Sequence, residues 1–134
     1  KKFPAFEEKR RHNWARLRAA LADMEDKVIL PEAAPNSNPS WFGFLLTVRE
    51  GINRESVVRY IEEKGVQTRM LFSGNLIKHP CFDQMRESGR GYRVIGDLAN
   101  SDRIMRDTFW VGVYPGMTDE MIDYMAEVIK GALR

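Results

Sequence analysis

Apolar positions along the chain recur with two different periods. Between residues 4 and 24 they fall at Trp14, Leu17, Leu21 and Met24, the i, i+3, i+7, i+10 spacing of one helical stripe. Lys9, Arg10, Arg11, Arg16 and Arg18 occupy the other faces. Pro4 stands near the opening of this helix. Glu7 and Glu8 are expected in its first turn, where the positive helix end favours carboxylates. Residues 31–40 carry Pro31, Pro35, Pro39 and Asn36-Ser37-Asn38, the composition of a linker. Residues 41–48 are then continuously apolar or β-prone, which predicts a strand buried on both faces or set beside a neighbouring domain.

Gly51 marks a turn. Asn53 is placed to cap a helix carrying Val57, Val58 and Ile61, and Gly65 to end it. Residues 67–72 form a second strand candidate, broken by Ser73-Gly74-Asn75. Residues 79–96 read as loop, punctuated by Gly89, Gly91 and Gly96. Asn100 or Ser101 caps a short helix through Arg106, and a third strand runs from Phe109 to Val113. Pro115-Gly116 turns the chain. Thr118 caps a last helix, which buries Met121, Ile122, Met125, Val128 and Ile129 and stops at Gly131. The order predicts a small α+β domain, a sheet of three or four strands with helices on one face and a long first helix.

Composition narrows the function. The 134 residues suffice for one domain. A net charge of +2 gives no general pull toward nucleic acid. The charge is uneven, however: residues 1–18 hold seven basic side chains and two acidic ones. One Cys excludes a disulfide framework and a Cys-rich metal site. The longest apolar run, residues 41–46, is far short of the roughly 20 residues a membrane span needs, and no signal region is present. The expectation is a cytoplasmic domain that binds neither membrane nor nucleic acid.

Candidate chemistry is sparse. His12 and His79 have no metal partners at short spacing, and Cys81 between Pro80 and Phe82 suits a small hydrophobe. Ser88-Gly89-Arg90-Gly91 resembles a phosphate loop loosely but follows no strand. Arg86, Arg90, Arg93, Arg103 and Arg106 are interleaved with glycines and suit a nucleoside diphosphate. They equally suit a solvated loop pairing with Glu87, Asp97, Asp102 and Asp107. The basic first helix lacks the interleaved aromatics of a single-strand binder and reads as a domain-connecting helix with a solvated face; a free-standing basic binding module using that helix on nucleic acid or an acidic partner is the alternative of another class. No complete catalytic constellation is present.

Two segments carry a resemblance. Gly65-Val-Gln-Thr-Arg69-Met-Leu-Phe72-Ser-Gly-Asn75-Leu-Ile-Lys-His79-Pro80-Cys-Phe82 and Asp107-Thr-Phe-Trp-Val-Gly-Val-Tyr-Pro-Gly-Met-Thr-Asp-Glu120 resemble the C-terminal region of DegT-type sugar enzymes. Those enzymes have the aspartate-aminotransferase (type I pyridoxal phosphate) fold. The run from Thr68 to Leu76 followed by His79-Pro80 is most similar to the nucleotide-hexose 3-dehydrase branch, which includes enzymes acting on CDP-4-keto-6-deoxyhexoses in lipopolysaccharide O-antigen synthesis. Sugar aminotransferases of the perosamine-synthase type, the alternative, tend to carry Pro and His where this chain has Asn75 and Ile77.

The resemblance implies removal of a sugar 3-hydroxyl with pyridoxamine or pyridoxal phosphate as electron sink, in a homodimeric parent enzyme. It implies that residues 1–26 are a helix connecting to a large domain and that residues 27–134 are the small domain. The base, the cofactor's phosphate site and any iron–sulfur cysteines then lie in the large domain. This chain would be a fragment that is inactive alone and binds no cofactor itself. Arg69, Phe72, Asn75 and His79 would face the cleft, and Arg86, Arg90 and Arg93 could meet the nucleotide's phosphates. Arg69 suits a substrate oxygen or a strand-surface ion pair; Asn75 suits a sugar hydroxyl or a turn.

Overall fold

A computed structural model describes residues 1–134. Helix α1 (Phe3–Ala20) has Pro4 in its first turn and passes into a 3-10 turn at Ala22–Met24. The helix begins early enough that Glu7 and Glu8 lie beyond its first turn; Glu7 pairs with Arg11 at 2.6 Å instead. The apolar stripe is as read: Leu17, Leu21 and Met24 are buried, and Trp14 packs on Trp41 and Phe44.

Strand β1 (Val28–Ile29) has no counterpart among the predicted elements. Two residues carry no periodicity; they are a strand only because Val28 and Ile29 pair with Val48 and Thr47 of β2 (Gly43–Val48). Helix α2 (Arg54–Glu63) starts at Asn53, whose side chain accepts from the Ser56 amide, and Gly65 leaves it at φ +79°. Strand β3 (Thr68–Met70) is shorter than the 67–72 run. The stretch read as loop contains a 3-10 turn at Pro80–Phe82 and α3 (Asp83–Ser88), which Gly89 closes in the left-handed conformation. Helix α4 (Ala99–Asp107) begins one residue before the expected caps. Its N-cap is Leu98, which offers no side-chain cap; Asp97, one residue earlier, accepts from the Ala99 amide at 3.0 Å. Strand β4 (Thr108–Gly112) and α5 (Asp119–Leu133) complete the chain, and Thr118 caps α5 through the Met121 amide.

The sheet is antiparallel throughout, in the order β1-β2-β4-β3. Phe44, Leu46 and Val48 alternate along β2, and Phe109 and Val111 along β4. All five are buried in one cluster with Leu17 and Leu21 of α1, Val57 and Ile61 of α2, and Ile122 and Ile129 of α5. Alternation puts Leu45, Thr47, Trp110 and Arg69 on the opposite face. The continuous apolarity of 41–48 thus serves two faces, and only one lies under α1, α2 and α5.

Two features of α5 differ from expectation. Met121 is 45% exposed, because the buried face is carried by Ile122, Met125, Ala126, Val128, Ile129 and Leu133. Gly131 does not stop the helix, which runs on to Leu133; it makes room for the Tyr60 hydroxyl, which would stand 2.9 Å from a β-carbon there.

One buried polar residue ties α1 to the rest. Asn13 is fully buried and donates from Nδ2 to the carbonyls of Tyr114, at 2.9 Å, and Met117, at 3.3 Å. Around it, Arg16 forks onto Asp123 at 2.8 and 2.7 Å, and His12 meets Asp119 at 3.0 Å. No helix is long and apolar enough to cross a membrane.

Candidate functional site

The segment 71–79 leaves β3 at the end of the sheet and is held from several sides. Trp110 donates from Nε1 to the Met70 carbonyl at 3.2 Å, fixing the point of departure. The Phe72 amide bonds back to the Met70 carbonyl at 2.8 Å, forcing a tight turn. Phe72 takes φ +45°, a left-handed backbone that a bulky residue adopts only at a cost of about 1–3 kcal/mol. Its ring is 76% exposed. It rims an apolar notch shared with Phe42, Leu45, Leu71 and Trp110.

Gly74 follows at φ +56°, and a β-carbon there would come within 2.6 Å of Met105 Cβ on α4. Only glycine permits this approach of the turn to the helix. Asn75 is 3% exposed. Its Nδ2 donates to Asp102 Oδ1 of α4 at 2.7 Å, and Lys78 Nζ donates to Asp102 Oδ2 at 2.7 Å. These bonds, Lys78 first and Asn75 second, hold the Asp102 carboxyl below its ordinary range.

His79 approaches the Ser73 carbonyl through Nε2 at 2.6 Å. A carbonyl only accepts, so Nε2 carries the proton in that bond. Arg86 closes the far side of the segment. It donates to the carbonyls of Ile77 and, at 3.0 Å, His79, and to Asp83.

Arg69 lies directly across from Trp110 and donates to the Thr68 carbonyl at 2.9 Å. It lines a groove of about 630 Å3 whose walls are Trp110, Tyr114, Met121 and Tyr124, with Glu120 at the margin.

The sequence candidates therefore fall into groups. Asn75, His79 and Arg86 belong to one knot of hydrogen bonds. Arg69 and Phe72 stand beside Trp110 on the sheet face away from the core. Arg90 and Arg93 are exposed and their guanidiniums make no hydrogen bond, while Tyr92 between them lines a small hollow with Leu76, Ile77, Phe82 and Met85. Of the carboxylates offered as loop partners, Asp107 pairs with Arg106 at 2.8 Å, and Arg86 takes Asp83 instead. No cluster of His, Cys, Asp and Glu could hold a metal. Asp102 and Trp110 were not singled out as site residues. Their roles come from pairings 27 and 40 residues away in sequence, which no local pattern reports.

Comparisons with known proteins agree with this architecture. A model described as the DegT/DnrJ/EryC1/StrS aminotransferase family matches residues 1–130. The chain is 47% identical over 130 residues to dTDP-4-dehydro-2,6-dideoxy-D-glucose 3-dehydratase of Saccharopolyspora spinosa, covering 96% of this chain and 27% of that protein. It is 45% identical over 122 residues to lipopolysaccharide biosynthesis protein RfbH of Salmonella typhimurium, covering 90% of this chain and 27% of that protein. Among solved structures, it matches a GDP-4-keto-6-deoxymannose-3-dehydratase with a trapped PLP-glutamate geminal diamine at a TM-score of 0.80 and 23% identity. That match covers 96% of this chain and 32% of the other. DesV of S. venezuelae, in complex with a ketimine intermediate, matches at a TM-score of 0.79 and 16% identity, across 99% of this chain and 33% of its own. The structural likenesses establish the fold, that of part of an aminotransferase-type subunit. The chain spans 27% of the length of these two curated relatives.

Proposed function

This chain belongs to the DegT/DnrJ/EryC1/StrS aminotransferase family, and on that footing we propose that it is the small C-terminal domain of a nucleotide-sugar 3-dehydratase. The parent enzyme removes the 3-hydroxyl of a CDP-4-keto-6-deoxyhexose in O-antigen deoxysugar synthesis, as a cytoplasmic homodimer. Residues 1–26 connect to a large cofactor-binding domain, and residues 27–134 form one wall of the cleft. The observation that carries the reading is 47% identity with a sugar 3-dehydratase across 96% of the chain.

The residues present do not fit a whole pyridoxal phosphate site. The Lys78 ammonium is held by Asp102, the His79 ring by the Ser73 carbonyl, and the Arg86 guanidinium by Ile77, His79 and Asp83. Lys78, His79 and Arg86 are thus spent on internal partners, which supports placing the cofactor in the remainder of the parent. What this wall offers a nucleotide sugar is Arg69 for an oxygen or phosphate, Phe72 as an apolar face, Asn75 and His79 at the turn, and Arg90 and Arg93 as uncommitted guanidiniums.

The test uses the full-length protein loaded with pyridoxamine phosphate and given CDP-4-keto-6-deoxyglucose labelled with heavy oxygen at the 3-hydroxyl. Release of labelled water is the expected result, with the dTDP and GDP sugars run alongside to rank the nucleotide. Retention of the label, with glutamate-dependent appearance of a 4-amino sugar, would replace the reading with the aminotransferase one.

A further inference from the structure

Asn75 and Asp102 meet in a way that decides which end of the amide points outward. The two ends of an asparagine amide have nearly the same shape, so packing alone does not orient it. Asp102 does. Lys78 Nζ lies 2.7 Å from Asp102 Oδ2 and favours its ionised form, and an ionised carboxylate only accepts hydrogen bonds. Asp102 Oδ1, 2.7 Å from the Asn75 side chain, must therefore face the NH2 end. Reversing the amide would set two oxygens against each other at a residue only 3% exposed, with nothing to compensate them.

The carbonyl end, Oδ1, then points away from Asp102. It accepts no hydrogen bond within the fold, and it is not among the unpartnered polar atoms sealed from solvent, unlike Oδ1 of Asn13. An oriented acceptor is thus left open on the segment that carries Phe72 and His79.

We propose that Asp102 is a positioning residue for sugar recognition: it fixes Asn75 with Oδ1 toward the cleft, so the substrate group read there is a hydrogen-bond donor, a hydroxyl or amine of the sugar. This rests on the reading that residues 71–79 line a nucleotide-sugar cleft. Lys78 acts one step further back, by keeping Asp102 from becoming a donor itself.

Calorimetric binding to the full-length protein tests this, with the nucleotide sugar and the free nucleoside diphosphate as separate probes. Asp102→Asn is isosteric but can serve either end of the Asn75 amide. It should weaken nucleotide-sugar binding by about tenfold, the equivalent of one hydrogen bond, and leave nucleoside diphosphate binding unchanged. Asn75→Ala should do the same, and the double variant should bind no worse than Asn75→Ala alone. Losses that multiply in the double variant, or that fall equally on the nucleoside diphosphate, would overturn the proposal.

A second measurement leaves Asp102 itself unsubstituted. Nucleotide sugars with single hydroxyls replaced by fluorine keep an acceptor and lose the donor. One of them should bind the wild type about tenfold more weakly and Asn75→Ala no more weakly than the parent sugar does. If every fluorinated sugar binds the wild type as tightly as its hydroxyl counterpart, Asn75 does not read a donor. Tight binding of the nucleotide sugar without release of labelled water would sink the dehydratase reading while leaving these comparisons decisive. Failure of the wild type to bind any nucleotide sugar overturns both.

Discussion

Gly43 lies directly beneath the indole of Trp110: a β-carbon on the glycine would come within 2.7 Å of ring carbon Cε3. The ring cannot easily retreat, since its Nε1 is bonded to the Met70 carbonyl and its edge packs on Phe42 at a centroid distance of 5.4 Å. Gly43→Ala should therefore destabilise the protein by about 1–3 kcal/mol, as overpacking does. Adding Trp110→Leu should recover part of that loss, because the obstacle is gone. Chemical denaturation of the two single variants and the double variant measures the coupling; additive losses would show that the ring is not the obstacle.

Asn13→Ala should cost about 2–3 kcal/mol, although it removes no apolar surface. Its Nδ2 serves the carbonyls of Tyr114 and Met117, and both lose a partner in a site where Asn13 is fully buried. Urea unfolding gives the number, and an unchanged midpoint would mean that water replaces the amide.

Gly131→Ala should be stabilising. Alanine gains roughly 1 kcal/mol over glycine in a helix interior and a fraction of that in the last turn of α5, where Gly131 lies. The nearest obstacle is the Tyr60 hydroxyl, the far end of a side chain that is 38% exposed. A rise in Tm is the expected result; a fall would show that Tyr60 is pinned where it stands.

Acid should loosen the seam between α1 and α5. The bond with His12, reinforced by the charge of Arg16, holds the Asp119 carboxyl below its ordinary value, and Arg16 does the same for Asp123. A carboxyl with a lower pKa folded than unfolded stabilises the fold above the unfolded value and loses that contribution as pH falls through the folded one. Stability should thus decline below about pH 4, the ordinary carboxylate range, and Asp119→Asn should flatten the decline. Both carboxylates are exposed, so added salt should shrink the difference. Thermal unfolding of the wild type and Asp119→Asn from neutral to acid pH compares the two curves; parallel curves would rule out Asp119 as the titrating group.

The elements readable in the sequence were those with local causes. The stripe Trp14-Leu17-Leu21-Met24 and the caps Asn53 and Thr118 depend on residues a few positions apart, and all hold. What escaped depended on distant partners. Val28 and Ile29 become a strand only against β2, and the Gly131 gap has meaning only beside Tyr60. Helix α3 was hidden by the glycines around it, one of which closes it. For the site, the segment bearing Phe72, Asn75 and His79 came through resemblance to a family. The partner that orients Asn75 sits 27 residues along the chain and carries no motif.

The buried Asn13 and the charged seam around it fasten α1 to the stretch 114–123, from beyond the end of β4 into the start of α5. Phe3 and Phe6 stand exposed in the opening turn of that helix. Lifting α1 off the rest of the fold would therefore strip the carbonyls of Tyr114 and Met117, between β4 and α5, of their shared donor.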